Sequence, residues 1–113
     1  MKLKNKDMKF YIGTYAKATQ DTSLDINILV LYKIRKNFQK IEDALKPYGD
    51  TVKEIVEKSK DNIEIAEGIS KLGEVEVDVD IEKISITEFG DDVKTSPPFV
   101  NSIFFMLKDW DLF

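Results

Sequence analysis

The sequence has 113 residues, of which 42% are hydrophobic and 34% charged, as expected for a single soluble globular domain over residues 1–113. It contains neither Cys nor His, which excludes disulfides, thiolate metal sites and the commonest general base. The 17 basic residues are outnumbered by 21 acidic ones, so the net charge is −4. We therefore expect no direct binding to nucleic acid, which needs many contacts from Lys and Arg to phosphate.

The first elements are predicted to be a short strand and a helix. Residues 1–4 alternate apolar and basic side chains, which is typical of a short strand. Asn5 or Asp7 is placed to cap a helix that runs to about residue 18. The buried face of that helix is expected to hold Met8, Ile12, Tyr15 and Ala16. The polar segment 19–23 is predicted to be a loop.

The next region repeats an apolar residue at every third or fourth position. These positions, called here the apolar stripe, are Leu31, Ile34, Phe38, Ile41, Leu45, Tyr48, Val52 and Ile55. They predict an amphipathic helix over about residues 24–59, with residues 26–32 deep in the core because they are apolar almost all round. Proline is unfavourable inside a helix, so Pro47 argues for a break, but the apolar stripe continues through this position in phase. One helix kinked near residues 43–47 is therefore favoured over a two-helix hairpin.

A shorter helix and a strand are predicted to follow. Asp61 or Asn62 can cap a helix over residues 63–72. Residues 74–81, EVEVDVDI, alternate strictly and predict a strand with its valines facing one way. The alternation changes phase near residues 82–83, which indicates a bulge or a tight turn.

The chain is predicted to end in a turn and a helix. The turn covers residues 89–92, and the helix runs from Pro97 to about residue 110. The apolar face of this helix is expected to hold Val100, Ile103, Phe104, Leu107 and Trp110, widened by Phe99, Phe105 and Met106. The predicted fold class is thus α+β and dominated by helices. One long kinked amphipathic helix and shorter helices would pack on an antiparallel sheet of two or three strands.

The predicted strand carries carboxylates along one side, about 6.6 to 7 Å apart. This acidic face consists of Glu74, Glu76, Asp78, Asp80 and Glu82. The first interpretation is a solvated face or a guarded sheet edge, with Lys2 and Lys4 offsetting part of the repulsion if the first strand pairs here. The second is a docking surface for a basic partner. A divalent-cation site comes last, because the acids are evenly separated and no calcium-loop pattern occurs.

Two further features of the sequence are candidate interaction sites. The apolar C-terminus would fill the core or contact a partner, and its interface candidates are Phe105, Trp110, Leu112 and Phe113. The apolar stripe is more typical of an internal core than of a coiled-coil dimer, with self-association as the alternative.

The sequence offers little catalytic chemistry. Ser and Thr nucleophiles lack a His partner, and no glycine-rich phosphate loop occurs. Asp92-Val93-Lys94 matches half of a metal-dependent nuclease site, with Asp78 or Asp80 as a partner, but it lies in a predicted turn. We therefore expect no catalytic residue, no metal ligand and no cofactor.

Several segments share their order and pattern with a known group of proteins. They are MKLKNKD at the start, YKIRKNFQKIEDALKPY, and EVEVDVDIEKI followed by a loop, a Pro-led segment and FFML. Together they resemble a family of small phage proteins of unassigned function, found in tailed phages of Gram-positive bacteria. Residues 49–73 depart most from that pattern. The resemblance implies a phage or prophage origin and a helix-rich α+β fold, and it transfers no active-site residue.

These features favour a non-catalytic, phage-encoded binding protein. It would inhibit or modulate a bacterial host protein through the acidic face, for example as an anti-defence effector of the anti-CRISPR type. The first alternative is a virion assembly or tail-associated subunit that forms a homo-oligomer, and the last is a metal-dependent enzyme. No signal peptide or membrane span is predicted, so the expected location is the host cytoplasm, or the virion for a structural subunit.

Overall fold

The computed structural model describes residues 1–20, 26–89 and 97–108. In chain order the elements are strand β1 (Lys2–Lys4), helices α1 (Asn5–Gln20), α2 (Ile28–Lys58) and α3 (Asn62–Gly73), strand β2 (Glu76–Asp78), a 3₁₀ turn (Ile86–Phe89), helix α4 (Pro97–Ile103) and a second 3₁₀ turn (Phe104–Met106). This is the predicted helix-dominated α+β architecture, with two antiparallel strands. None of the described helices combines the length and the apolar composition that crossing a bilayer requires.

The two strands pair as the sequence suggested. Lys2 lies opposite Asp78, Leu3 opposite Val77, and Lys4 opposite Glu76. Leu3 is buried on the core side of the sheet, whereas both acids are exposed. The alternation of side chains in a strand therefore places the basic residues of β1 and the acidic residues of β2 on the same outer face.

Strand β2 is shorter than the predicted strand over residues 74–81. At its start, the Val75 N–H donates to the carbonyl of Leu72, which prolongs the end of α3, and the Val75 side chain is 48% exposed rather than buried. At its end, the Ile81 N–H donates to the Val79 carbonyl at 2.9 Å, which forms a tight three-residue turn. The predicted change of phase thus occurs, and a turn rather than a bulge begins it.

A buried side chain of α2 supplies backbone hydrogen bonds to the segment that follows β2. The Asn37 amide of α2 donates to the Glu82 carbonyl at 2.9 Å, and the Glu82 N–H donates back to Asn37 Oδ1 at 2.9 Å. Asn37 is fully buried, so one side chain supplies both hydrogen bonds that a neighbouring strand would give. Ile84 then forms an isolated parallel bridge with Leu107.

Helix α2 is one continuous helix with Pro47 inside it, which excludes the two-helix alternative at this point. The Thr51 hydroxyl donates to the Pro47 carbonyl at 2.7 Å. The helix begins at Ile28, where the Asn27 side chain accepts the Leu29 N–H at 2.8 Å as an N-cap. The kink near residues 43–47 stays a prediction.

The prediction that residues 26–32 lie deep in the core is wrong. Val30 is 2% exposed, but Ile28, Leu29 and Tyr32 are between 61% and 70% exposed. A helix can turn only one side toward a core, and here that side is the one shared by Val30 and Ile34. A helical segment that is apolar on every side is therefore not necessarily buried on every side.

The core lies where α1, the first half of α2 and α4 meet. Its buried members are Leu3, Met8, Ala18, Val30, Ile34, Phe38, Ile41, Val79, Ile84, Phe99, Ile103, Met106 and Leu107. In α1, Ala18 is buried and the predicted Ala16 is exposed. The Tyr15 ring stacks on Phe38 at 4.1 Å between centroids, which joins α1 to α2.

The last helix is shorter than predicted, and its predicted apolar face is buried only in part, at Phe99, Ile103, Met106 and Leu107. It ends at Ile103, because the chain then tightens into a 3₁₀ turn and Leu107 bridges to Ile84. Phe99 and Ser102 are fully buried, whereas Phe104, expected on the apolar face, is 38% exposed. Residues 90–92 of the predicted turn, residues 21–23 of the predicted loop and the predicted end of the helix at Trp110 lie outside the described residues.

Candidate partner-binding surface

The acidic face lies on the outside of the sheet and on the segment that follows it. Each of its five carboxylates belongs to an exposed residue, as the alternation predicted. The Asp78 and Asp80 side chains are 79% and 98% exposed. The backbone beneath them is held by the pairing with β1 and by the Asn37 amide, so these carboxylates stand on a fixed support.

Cations from the first residues of the chain pair with one end of this face. Glu74 accepts hydrogen bonds from Lys4 at 2.8 Å and from Lys6. The amino group of Met1 lies 3.1 Å from Asp78 Oδ1. Of the two predicted cations, Lys4 makes an ion pair, whereas Lys2 lies opposite Asp78 without an ion pair within 4 Å among the described residues. The pairs made by Lys6 and by the amino group of Met1 were not predicted.

Cations from α2 pair with the other end. Lys40 lies 3.6 Å from the Asp80 carboxylate and donates to its backbone carbonyl at 2.9 Å. Lys33 lies 3.9 Å from Glu82 and also binds Glu88. Lys33 and Lys40 are seven residues apart on one helix and so share a side, which is the signal that the sequence offered for them. Among the described residues, Glu76 is the member of the acidic face without an ion pair within 4 Å.

The ion pairs shift the titration of two carboxyl groups. Hydrogen bonds from Lys4 and then Lys6 lower the pKa of Glu74 from its ordinary value of 4.5 to about 2. The hydrogen bond from Lys33, followed by the Ser85 backbone N–H, lowers the pKa of Glu88. Both carboxylates are therefore charged at neutral pH.

Acidification is expected to weaken the fold through Glu74. Its folded-state pKa of about 2 lies below the ordinary value of 4.5, so the stabilisation is complete above about pH 4.5 and is lost as the pH falls towards 2. A Glu74→Gln variant should therefore lose less thermal stability than the unmodified chain over that interval, measured as Tm by circular dichroism. The difference should shrink in high salt, because these pairs are half exposed. Glu57→Gln, an exposed change on α2, is the control, and an equal effect from it would contradict this assignment.

The second candidate interface is only partly described. Phe105 is half-buried, and its ring stacks on Tyr11 at 4.1 Å and meets Phe38 edge-on at 6.1 Å. Its contacts are thus internal, and a partner contact by Phe105 stays a prediction. Trp110, Leu112 and Phe113 lie outside the described residues.

Within the described ranges, no group of three or more acidic side chains converges to hold a metal ion. The segment Asp92-Val93-Lys94 lies outside them. The chemistry that the acidic face offers is therefore charge and hydrogen-bond acceptors distributed over residues 74–82.

Comparison of the chain with protein-family models, with curated proteins and with solved structures gave no match. Its function is therefore inferred from the geometry of the described residues and from the sequence.

Proposed function

We propose that the chain is a non-catalytic binding protein that presents its acidic face to a basic surface of a protein partner and thereby inhibits or modulates that partner. The observation that carries this proposal is a row of exposed carboxylates on a backbone fixed by strand pairing and by Asn37. A fixed support favours binding, because less conformational freedom is lost when the partner arrives.

The internal cations leave these carboxylates available. Exposed ion pairs contribute about 0 to 1 kcal/mol, so Lys and Arg of a partner can compete with them. Asp80 is 98% exposed although Lys40 lies 3.6 Å away, and Asp78 is 79% exposed. Glu76 lacks an ion pair within the described part of the chain. We therefore place the main contact on Glu76, Asp78 and Asp80.

The resemblance to phage proteins suggests what the partner would be. A bacterial defence nuclease has a basic channel for nucleic acid, in which carboxylates would stand in for phosphates. An anti-defence effector of the anti-CRISPR type, acting in the host cytoplasm, fits this chemistry. Affinity capture from host cells, with and without phage proteins, would supply the partner for measurement.

Charge reversal of the main contact is expected to abolish binding to the captured partner. The variant carrying Glu76→Lys, Asp78→Lys and Asp80→Lys should bind at least about a hundredfold more weakly, because each reversal replaces attraction by repulsion. Binding is measured by calorimetry and folding by circular dichroism.

The matched control reverses three exposed acids of α2 and α3, Glu54, Glu57 and Glu64, with the same change in net charge. Unchanged binding of the first variant would refute the proposal. Equal weakening by the control would show that net charge, rather than the acidic face, governs binding.

A virion assembly or tail-associated subunit is the second candidate. The observation that favours it is apolar surface on the described chain, such as Val56 and Ile63, which are 51% and 67% exposed. Light scattering on the purified protein separates the two functions. A defined large oligomer would favour the structural subunit, whereas a monomer or dimer would favour the binding protein.

A further inference from the structure

The second half of α2 and helix α3 form a helical hairpin with little cover. Every described residue from 42 to 72 is at least partly exposed, whereas Ile34, Phe38 and Ile41 earlier in α2 are buried. The apolar stripe nevertheless continues through this region at Leu45, Tyr48, Val52 and Ile55, all of which are half-buried. The stripe therefore extends further along α2 than the core of the domain does.

Helix α3 covers one side of this part of α2. The two helices approach closely at Gly68, where an added Cβ would lie 3.4 Å from the Ile55 side chain. The apolar residues of α3 that share the half-buried state are Ile65, Ile69 and Leu72. Val56 and Ile63 remain 51% and 67% exposed. Two helices cannot enclose both of their apolar sides, so the hairpin lacks an interior of its own.

We infer that a second copy of this chain covers the hairpin, so that two hairpins form an antiparallel four-helix bundle about a two-fold axis. Four helices packed around a common centre enclose such stripes, and the 3.5-residue spacing of the stripe is the one used in these bundles. An identical hairpin supplies the two missing helices with the same length and the same spacing. A two-fold axis also closes the assembly at two copies.

The charges of the hairpin favour its own copy over a strongly charged partner. Residues 46–72 contain five Lys against six Asp and Glu, so the surface carries both signs in nearly equal number. Two of the charges already pair along α2, where Lys58 lies 3.9 Å from Glu54. A surface with nearly equal numbers of both signs repels a second copy of itself little, whereas a strongly basic or acidic partner would find no complementary field.

The hairpin is large enough for a small dimer interface. The hairpin beyond residue 45 is roughly 20 Å long and roughly 20 Å wide, from the helical rise and the spacing of packed helices. The outline of this surface is roughly 400 Å² and side-chain relief adds to the area that a partner would bury, so the interface is a small one beside the roughly 800 Å² per partner of a standard interface. The chain is elongated, at 55 × 28 × 24 Å, and the 31 residues of α2 span about 46 Å by the helical rise.

The test is the oligomeric state of the full chain and of two matched variants, measured by analytical ultracentrifugation over a range of concentrations. The unmodified chain should be a dimer. Ile63→Glu should raise the dimer dissociation constant at least about tenfold, because it places a charge at the apolar interface. Ile28→Glu, at a residue 70% exposed on the opposite end of α2, should leave it unchanged. Circular dichroism establishes that each variant is folded.

The distance between two copies of the chain can also be measured directly. Because the chain has no Cys, Ile63→Cys can carry a single spin label, and electron–electron resonance should report one short distance between copies. The corresponding label at Ile28→Cys should report a longer one. A monomeric chain at high concentration, equal weakening by the two Glu variants, or a short distance only at position 28 would each overturn the inference.

Discussion

Replacing Phe99 by Ala is expected to destabilise the fold by about 3–5 kcal/mol, the usual cost of removing a fully buried aromatic ring. Phe99 is 0% exposed, and its ring lies 6.2 Å from that of Tyr15, so it joins the short helix α4 to α1. Domains of this size are stable by only about 5–15 kcal/mol, so the variant should be close to its folding limit. Urea denaturation followed by circular dichroism measures the loss as a lower midpoint.

Phe104→Ala supplies the matched control for this prediction. Phe104 follows in the same apolar segment but is 38% exposed, so its truncation should cost less than about 1 kcal/mol. Equal destabilisation by both variants would mean that α4 packs through a different face from the one described.

The choice of buried face in α4 could not be predicted from the sequence. The segment is apolar nearly all round, so periodicity has no polar side to select against. Ser102 is one of the few polar residues of the segment, yet it is fully buried with its hydroxyl donating to the Phe99 carbonyl at 2.6 Å. That local hydrogen bond satisfies the hydroxyl and removes most of the free-energy cost of burying it.

In α2 the sequence predicted the spacing of the buried residues, but it did not predict how far along the helix the core extends. Ile34, Phe38 and Ile41 are buried at the predicted spacing. The later positions of the stripe are only half-buried, because the elements that would cover them are absent from the described part of the chain. Spacing depends on one helix, whereas burial depends on its neighbours, so only the first is readable from local sequence.

For the acidic face, the exposure of the carboxylates could be predicted from the sequence, but most of their ion pairs could not. Strict alternation predicted the exposure of the five acids among residues 74–82, although Val75, predicted to face the core, is also exposed. The pairing of Lys2 and Lys4 with β2 followed from charge, since opposite signs across a ladder stabilise it. The contributions of Lys33 and Lys40 depend on how α2 packs against residues 80–82, which is a contact between distant parts of the chain.

Replacing Asn37 by Ala is expected to cost about 2–4 kcal/mol, because it leaves two backbone groups of Glu82 without partners in a partly buried region. Both hydrogen bonds measure 2.9 Å, and the Asn37 side chain is fully buried. The same amide also lies 3.4 Å from the sulfur of Met106, so its removal opens a cavity beside the core.

Asn101→Ala removes the same side chain from an exposed position on α4 and should change stability by less than about 0.5 kcal/mol. Urea denaturation compares the two variants, and amide hydrogen exchange at Glu82 reports the local effect. In the unmodified chain the Glu82 N–H donates to Asn37, so it should exchange slowly, and in Asn37→Ala it should exchange much faster. If Glu82 exchanged equally fast in both, water rather than Asn37 would satisfy this backbone. The support for the carboxylates of Asp80 and Glu82 would then be weaker than the fold implies.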